Sequence, residues 1–187
     1  MRPKGATLDR EAVISEAMSL TLQKGYRGYQ WKDLAAALSI KPPSLYNHVR
    51  DLEEVQIEVT YRCLDRLAQY LEVHLSRALP EHRFETMLTA FRSFVRKYPH
   101  FYDATVQSHY DSRSYREKSS KVLEIILSAM GLTESEATVH RVRLVRSLLH
   151  GFIELERRGG FGRPEEIQKT FRLLIQAAEM ILEMDAG

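Results

Sequence analysis

The side chains most able to do chemistry are seven histidines and one cysteine. His48, His74, His82, His100, His109, His140 and His150 include no pair four residues apart, the spacing that sets two imidazoles on one helix face for a metal. Cys63 alone can form neither an internal disulfide nor a thiolate cluster. Glu154 and Glu156 are two apart, so they do not share a helix face. Gly159-Gly160-Phe161-Gly162 follows a helical pattern and leads to Pro164, which reads as a turn rather than a phosphate-cradling loop. No enzyme activity, metal or cofactor is expected.

A second kind of chemistry is hydrogen bonding to an extended polar partner. Pro42 to Asn47 is expected to form a short segment anchored inward by Leu45 and followed by Val49, with Ser44, Asn47 and His48 directed elsewhere and Tyr46 near the boundary. Small and hydrogen-bonding residues of this kind fit the edge of a helix laid in a DNA groove. Ser44 and Asn47 are candidates for base or phosphate contact, and Pro43 for a thymine methyl. Lys32, Lys41 and Arg50, with Arg2 and Lys4 in the leading segment, are placed to meet phosphates on either side. Charge agrees with this placement. The whole chain carries only +2, but residues 1–50 hold eight Lys or Arg against four Asp or Glu, a net of +4, leaving −2 for the rest.

The elements needed to position these groups are helical. Val13, Ala17, Leu20 and Thr21 recur at helical spacing over residues 8–24, and Gly25 ends that run. A second helix is expected over 31–38 and a third from Pro42 or Pro43 to about Val49, separated by Ser39 to Lys41, which is the geometry of a helix-turn-helix. Asp51 with Glu54 caps a long fourth helix. Further helices are expected over about 83–98, 114–130 and 133–157, the last opened by Thr133 with Glu136, and from Pro164 to Met184. Between them, 101–116 reads as a less regular aromatic stretch. The expected class is all-α, with a helix-turn-helix domain over residues 1–52 and a larger helical body over 53–187. The apolar run Val122–Leu127, broken by Glu124, is far short of the roughly 20 residues a membrane span needs, so a cytoplasmic protein without a membrane partner is expected.

Residues 9–55 resemble the DNA-binding domain of the TetR family of transcriptional regulators. Lys24-Gly25-Tyr26, Leu34-Ala35 followed by Leu38 and Ile40, and Leu45-Tyr46-Asn47-His48-Val49 before an acidic helix start carry the likeness. Leu149-His150-Gly151-Phe152-Ile153-Glu154-Leu155-Glu156 and the glycine-rich turn look like one C-terminal subtype of that family. The resemblance implies phosphate contacts from Tyr46 and His48, a double-stranded DNA operator, and an effector pocket between the middle helices. Three positions depart from the family's commonest pattern: Gln30 replaces a Ser or Thr cap, Ser39 a turn glycine, and Leu52 a lysine.

In the body, a ring-rich stretch with interspersed hydroxyl and imidazole groups suits a small organic effector, with Phe91, Phe94, Tyr98, Tyr102, His109 and Tyr110 as candidate contacts. The last two long helices are rich enough in apolar residues to pair two copies. Val145, Leu149 and Phe152 on one and Phe171, Leu174, Ile175 and Ala178 on the other are the candidate dimer residues. The expected function is a homodimeric repressor released from a palindromic operator by the effector. The other reading is a helical adaptor that keeps the head without reading DNA sequence.

Overall fold

The computed structural model describes residues 8–106, 113–133, 135–163 and 165–184, and its regular structure there is all helical. The order is α1 (Arg10–Lys24), α2 (Trp31–Ala37), a 3-10 segment (Pro42–Asn47), α3 (Leu52–Leu75), a second short 3-10 turn (Pro80–His82), α4 (Arg83–Lys97), α5 (Pro99–Val106), α6 (Arg113–Met130), α7 (Glu136–Arg157) and α8 (Ile167–Glu183). They form two compact units, Met1–Arg66 with Tyr98–Ser119, and Leu67–Lys97 with Ser120–Gly187.

In the first unit, Asp9 caps α1 by accepting from the Ala12 amide at 2.8 Å. Gly25 closes the helix at φ 94°, in the region that favours glycine. Gly28 is required by proximity, because a Cβ there would lie 1.8 Å from the Lys24 carbonyl oxygen. The core joins Val13, Ile14 and Ala17 of α1 with Leu34 and Ala35 of α2, Leu45 and Val49, and Val55 and Val59 of α3. Tyr26, also buried, accepts from the Thr60 hydroxyl at 3.1 Å, and burial pushes its phenol pKa up.

The turn after α2 is a complete Schellman closure. Ser39 donates to the Ala36 carbonyl and Ile40 to the Ala35 carbonyl, both at 3.0 Å, while Ser39 sits at φ 59° without being glycine. The third element differs from expectation in being a 3-10 segment. Pro42 and Pro43 fill the first two positions, where no amide partner is needed, and six residues are too few to establish α-helical bonding. Ser44 therefore bonds back to Lys41 and His48 to Leu45, each at 2.9 Å, before Val49 makes one α-type bond to Leu45 at 3.0 Å.

In the second unit α7 packs on α8 and α4 packs on α7. The Arg92 guanidinium is buried between the Phe152 and Phe171 rings, 5.2 and 4.3 Å from their centroids. It forms a two-pronged ion pair with Glu156 and donates to Gln168 Oε1 at 2.8 Å, so one side chain of α4 fastens α7 and α8 together. Removing either charge would leave the other buried. Two starts differ from the sequence reading. Ser135, not Thr133, caps α7, accepting from the Thr138 amide at 3.2 Å, because the Thr138 hydroxyl turns back to the Thr133 carbonyl at 2.8 Å. α8 begins at Ile167, the first residue of its apolar face, with Glu166 as its cap residue, while Pro164 lies outside the described residues. Pro99 opens a regular helix where the sequence reads as irregular, since proline is favoured at a first helical position.

Candidate nucleic-acid interface

The candidate interface lies on α2 and the 3-10 segment, which pack on each other. Gln30, a poorer cap residue than Ser or Thr, precedes Trp31 at the start of α2. Asp33 compensates by accepting from the Gln30 amide at 2.7 Å, and that bond holds its carboxyl below the usual range. Leu45 and Val49 anchor the 3-10 segment in the core. Around that anchor Lys41, Pro43, Tyr46 and Asn47 are exposed, and Ser44 and His48 are half-buried. Lys32 is exposed on α2. Tyr46 is 64% exposed, with its ring against Trp31 at 5.0 Å between centroids.

Arg50 is exposed but engaged. Its Nε donates to Asp51 at 2.8 Å, which raises its pKa. Its amide donates to Glu54 Oε2 at 2.7 Å, while the Glu54 amide donates to Asp51 Oδ1 at 2.7 Å. These backbone bonds close the start of α3 and hold both carboxyls below their ordinary values. Leu52 is the first residue of α3 and half-buried. Arg2 and Lys4 lie outside the described residues.

Of the candidate effector contacts, Phe91, Phe94 and Tyr102 are buried and Tyr98 is half-buried; His109 and Tyr110 lie outside the described residues. Phe91 meets the His150 ring at 5.4 Å, and Phe94 meets Tyr70 edge-on at 5.5 Å. Burial pushes His150 down to about 4, leaving its imidazole neutral at pH 7. A groove of about 370 Å³ is lined by Leu75, Ile125, Glu72, Glu124, Arg83 and two serines, and by none of those rings. Among the described residues no group of three or more His, Cys, Asp and Glu could hold a metal ion. Cys63 is buried, which raises its thiol pKa.

Of the candidate dimer residues, Val145, Leu149, Phe152, Phe171, Ile175 and Ala178 are covered within a single chain, and Leu174 is half-buried. Among the described residues α7 leaves Val139, Leu144, Leu148 and Leu155 exposed, and Leu144, Leu148 and Leu155 with exposed Gly151 follow the spacing i, i+4, i+7, i+11. On α8 the same spacing runs through Leu173, Ala177, Met180 and, just past the helix, Met184, with Leu173 and Met180 each about two-thirds exposed at 65% and 68%. No helix among the described residues is long and apolar enough to cross a membrane.

Residues 84–178 match the family model described as the tetracyclin repressor-like C-terminal domain. The chain is also 31% identical over 161 residues to the uncharacterized HTH-type transcriptional regulator Rv0681 of Mycobacterium tuberculosis, covering 82% of this chain and 72% of that protein. The chain belongs to the TetR family of transcriptional regulators. A further relative in sequence is the uncharacterized HTH-type transcriptional regulator YobS of Bacillus subtilis, 25% identical over 171 residues and 90% of each chain. The fold agrees with that of a Rhodococcus sp. RHA1 protein of unknown function (TM-score 0.75, 15% identity, 98% of each chain). It also agrees with PfmR of Thermus thermophilus, a TetR family transcriptional regulator (TM-score 0.59, 22% identity, 94% of this chain and 99% of that one). At these identities the structural likeness shows the all-α TetR architecture alone, and the DNA-binding, effector-responsive character follows at the level of the family.

Proposed function

We propose that the chain is a homodimeric repressor that holds a palindromic operator through its two heads and releases it when a small organic effector binds the body. The observation that carries this reading is the exposed edge of the 3-10 segment. Tyr46, Asn47 and Lys41 project from a base locked by Leu45 and Val49, so hydrogen-bond donors are presented on a rigid support. Tyr46, His48, Lys32 and Lys41 are assigned to phosphates, Ser44 and Asn47 to bases or phosphate, and Pro43 to a thymine methyl. Arg50 is assigned to phosphate through the outer edge of its guanidinium, the Nε being held by Asp51.

Two heads reach successive major grooves about 34–36 Å apart only if two chains pair. The uncovered stripes of α7 and α8 support pairing as a four-helix bundle, because their spacing is that of a helix seam. The seam is assigned to Leu144, Leu148, Gly151 and Leu155 with Leu173, Ala177 and Met180; Val145, Leu149, Phe152, Phe171, Ile175 and Ala178 form the layer beneath it, edged by half-buried Leu174. For the effector, the region of Phe91 and Phe94 beside neutral His150 is the proposed place in the second unit.

The test is a band-shift titration against a duplex from the promoter beside the chain's own gene, at several salt concentrations. Lys41→Ala is expected to weaken binding to promoter and random duplex alike and to flatten the salt dependence by roughly one unit of slope. A changed sequence preference at unchanged slope would reassign Lys41 to base reading. Failure of the unmodified chain to prefer the promoter over random DNA would favour the adaptor reading.

A further inference from the structure

Trp31 is the chain's one tryptophan and the first residue of α2. It is half-buried, and its indole lies against the Tyr46 ring at 5.0 Å with the planes inclined by 42°. Its Nε1 is buried without a hydrogen-bond partner among the described residues. An indole whose donor goes unused contributes through its ring area, and here that ring lies, tilted, against the most exposed aromatic ring of the head. On the 3-10 segment itself Tyr46 is flanked by Leu45, which is turned into the core, and by exposed Asn47.

We propose that Trp31 is a positioning residue of the DNA interface, the platform that seats the Tyr46 ring and directs its hydroxyl outward. The proposal rests on the DNA-binding reading above and adds to it a residue with no polar contact of its own. A long tyrosine side chain that is free to turn spends little of its time aimed at one phosphate. Seated on a flat ring it loses that freedom before DNA arrives, so less ordering remains to be done on binding. Trp31 and Tyr46 therefore act as one unit, and the effects of changing them do not add.

The lone tryptophan supplies its own readout. Excited where only indole absorbs, Trp31 emission in the unmodified chain is expected to change on adding the promoter duplex, with the midpoint of the band shift. Tyr46→Ala is expected to shift the free chain's emission to the red, because the ring covering the indole is gone. Trp31→Leu should lower affinity about threefold to tenfold for promoter and random duplex alike, the range a ring pair of this kind supplies. Trp31→Phe, which keeps a flat face, should recover most of it, and Trp31→Leu should cost nothing further in a Tyr46→Ala background. Emission unmoved by Tyr46→Ala, or a Trp31→Leu loss that persists in full without Tyr46, would overturn the proposal. The emission arm needs no change at Trp31, so a Trp31→Leu chain that fails to fold does not shield it. An unmodified chain that binds neither duplex overturns the DNA-binding reading, a result separable from the others.

Discussion

The 3-10 segment of the head and the α7–α8 pair of the body rest on the same kind of foundation and present opposite surfaces. Leu45 and Val49 in the first, and Val145, Leu149, Phe171, Ile175 and Ala178 in the second, are buried residues at spacings of three to four that fix each element to its own chain. Outward, the head shows Lys41, Tyr46 and Asn47, while α7 and α8 show Leu144, Leu148, Leu155, Leu173 and Met180. Buried stripes say that an element is anchored. The residues one step around the helix say what it meets.

The sharpest way to break that comparison is to put charge into each layer of the second unit. Phe171→Asp together with Ile175→Asp puts two carboxylates into the core, the first beside an Arg92 guanidinium that Glu156 already neutralises, and is expected to cost more than about 4 kcal/mol and unfold the unit. Leu148→Glu together with Leu173→Glu places the same charge on exposed positions, and should leave the melting curve of a dilute sample nearly intact while abolishing pairing and tight promoter binding. Thermal melting beside sedimentation separates the two. Equal loss of folding in both pairs would mean that the outer stripe is also core.

The two regions should also part company in acid. His150 has a lowered pKa, so the unfolded chain takes up a proton that the folded one refuses, and the second unit should lose stability as pH falls from about 6.5 towards 4. Asp33, Asp51 and Glu54 in the head have lowered pKa values, so their contribution is present above the ordinary carboxylate range and is lost as pH falls through that range towards the depressed values. Denaturant titrations from pH 7 to 3.5 on the unmodified chain and on His150→Gln check this. The earlier loss should vanish in the variant.

The smallest effect is local to the head. Ser39 stands at φ 59°, where a Cβ is strained, so Ser39→Gly should stabilise by about 0.5–1 kcal/mol in urea melts. A destabilised variant would show that the serine side chain compensates for its backbone.

Much of this was legible in residue order. Asp51–Glu54 marks a helix start with a short-range bond that the sequence spells out, and Ser39 stands where the family's commonest pattern has the turn glycine. The all-α class and the TetR family both follow from such local signals. What was not legible depends on tertiary choice. Thr133 and Ser135 are equally good cap residues, and Thr138 decides between them by bonding to both. Two consecutive prolines permit a helix start in general, and only the shortness of the segment makes it 3-10. On α7 and α8 the apolar face is wider than one packing partner covers, so periodicity could not say which part of it α4 and its Arg92 had already taken. Trp31 beneath Tyr46 joins residues fifteen apart through the turn, a contact with no sequence signature.

The claim on which the rest depends is that the outer stripe of α7 and α8 joins two heads for one stretch of DNA. Sedimentation of the unmodified chain at micromolar concentration, alone and with its promoter duplex, tests it most directly. The account predicts a free species of twice the 21.7 kDa chain mass and two chains on each duplex. A free species of 21.7 kDa that still binds the promoter more tightly than random DNA would contradict it.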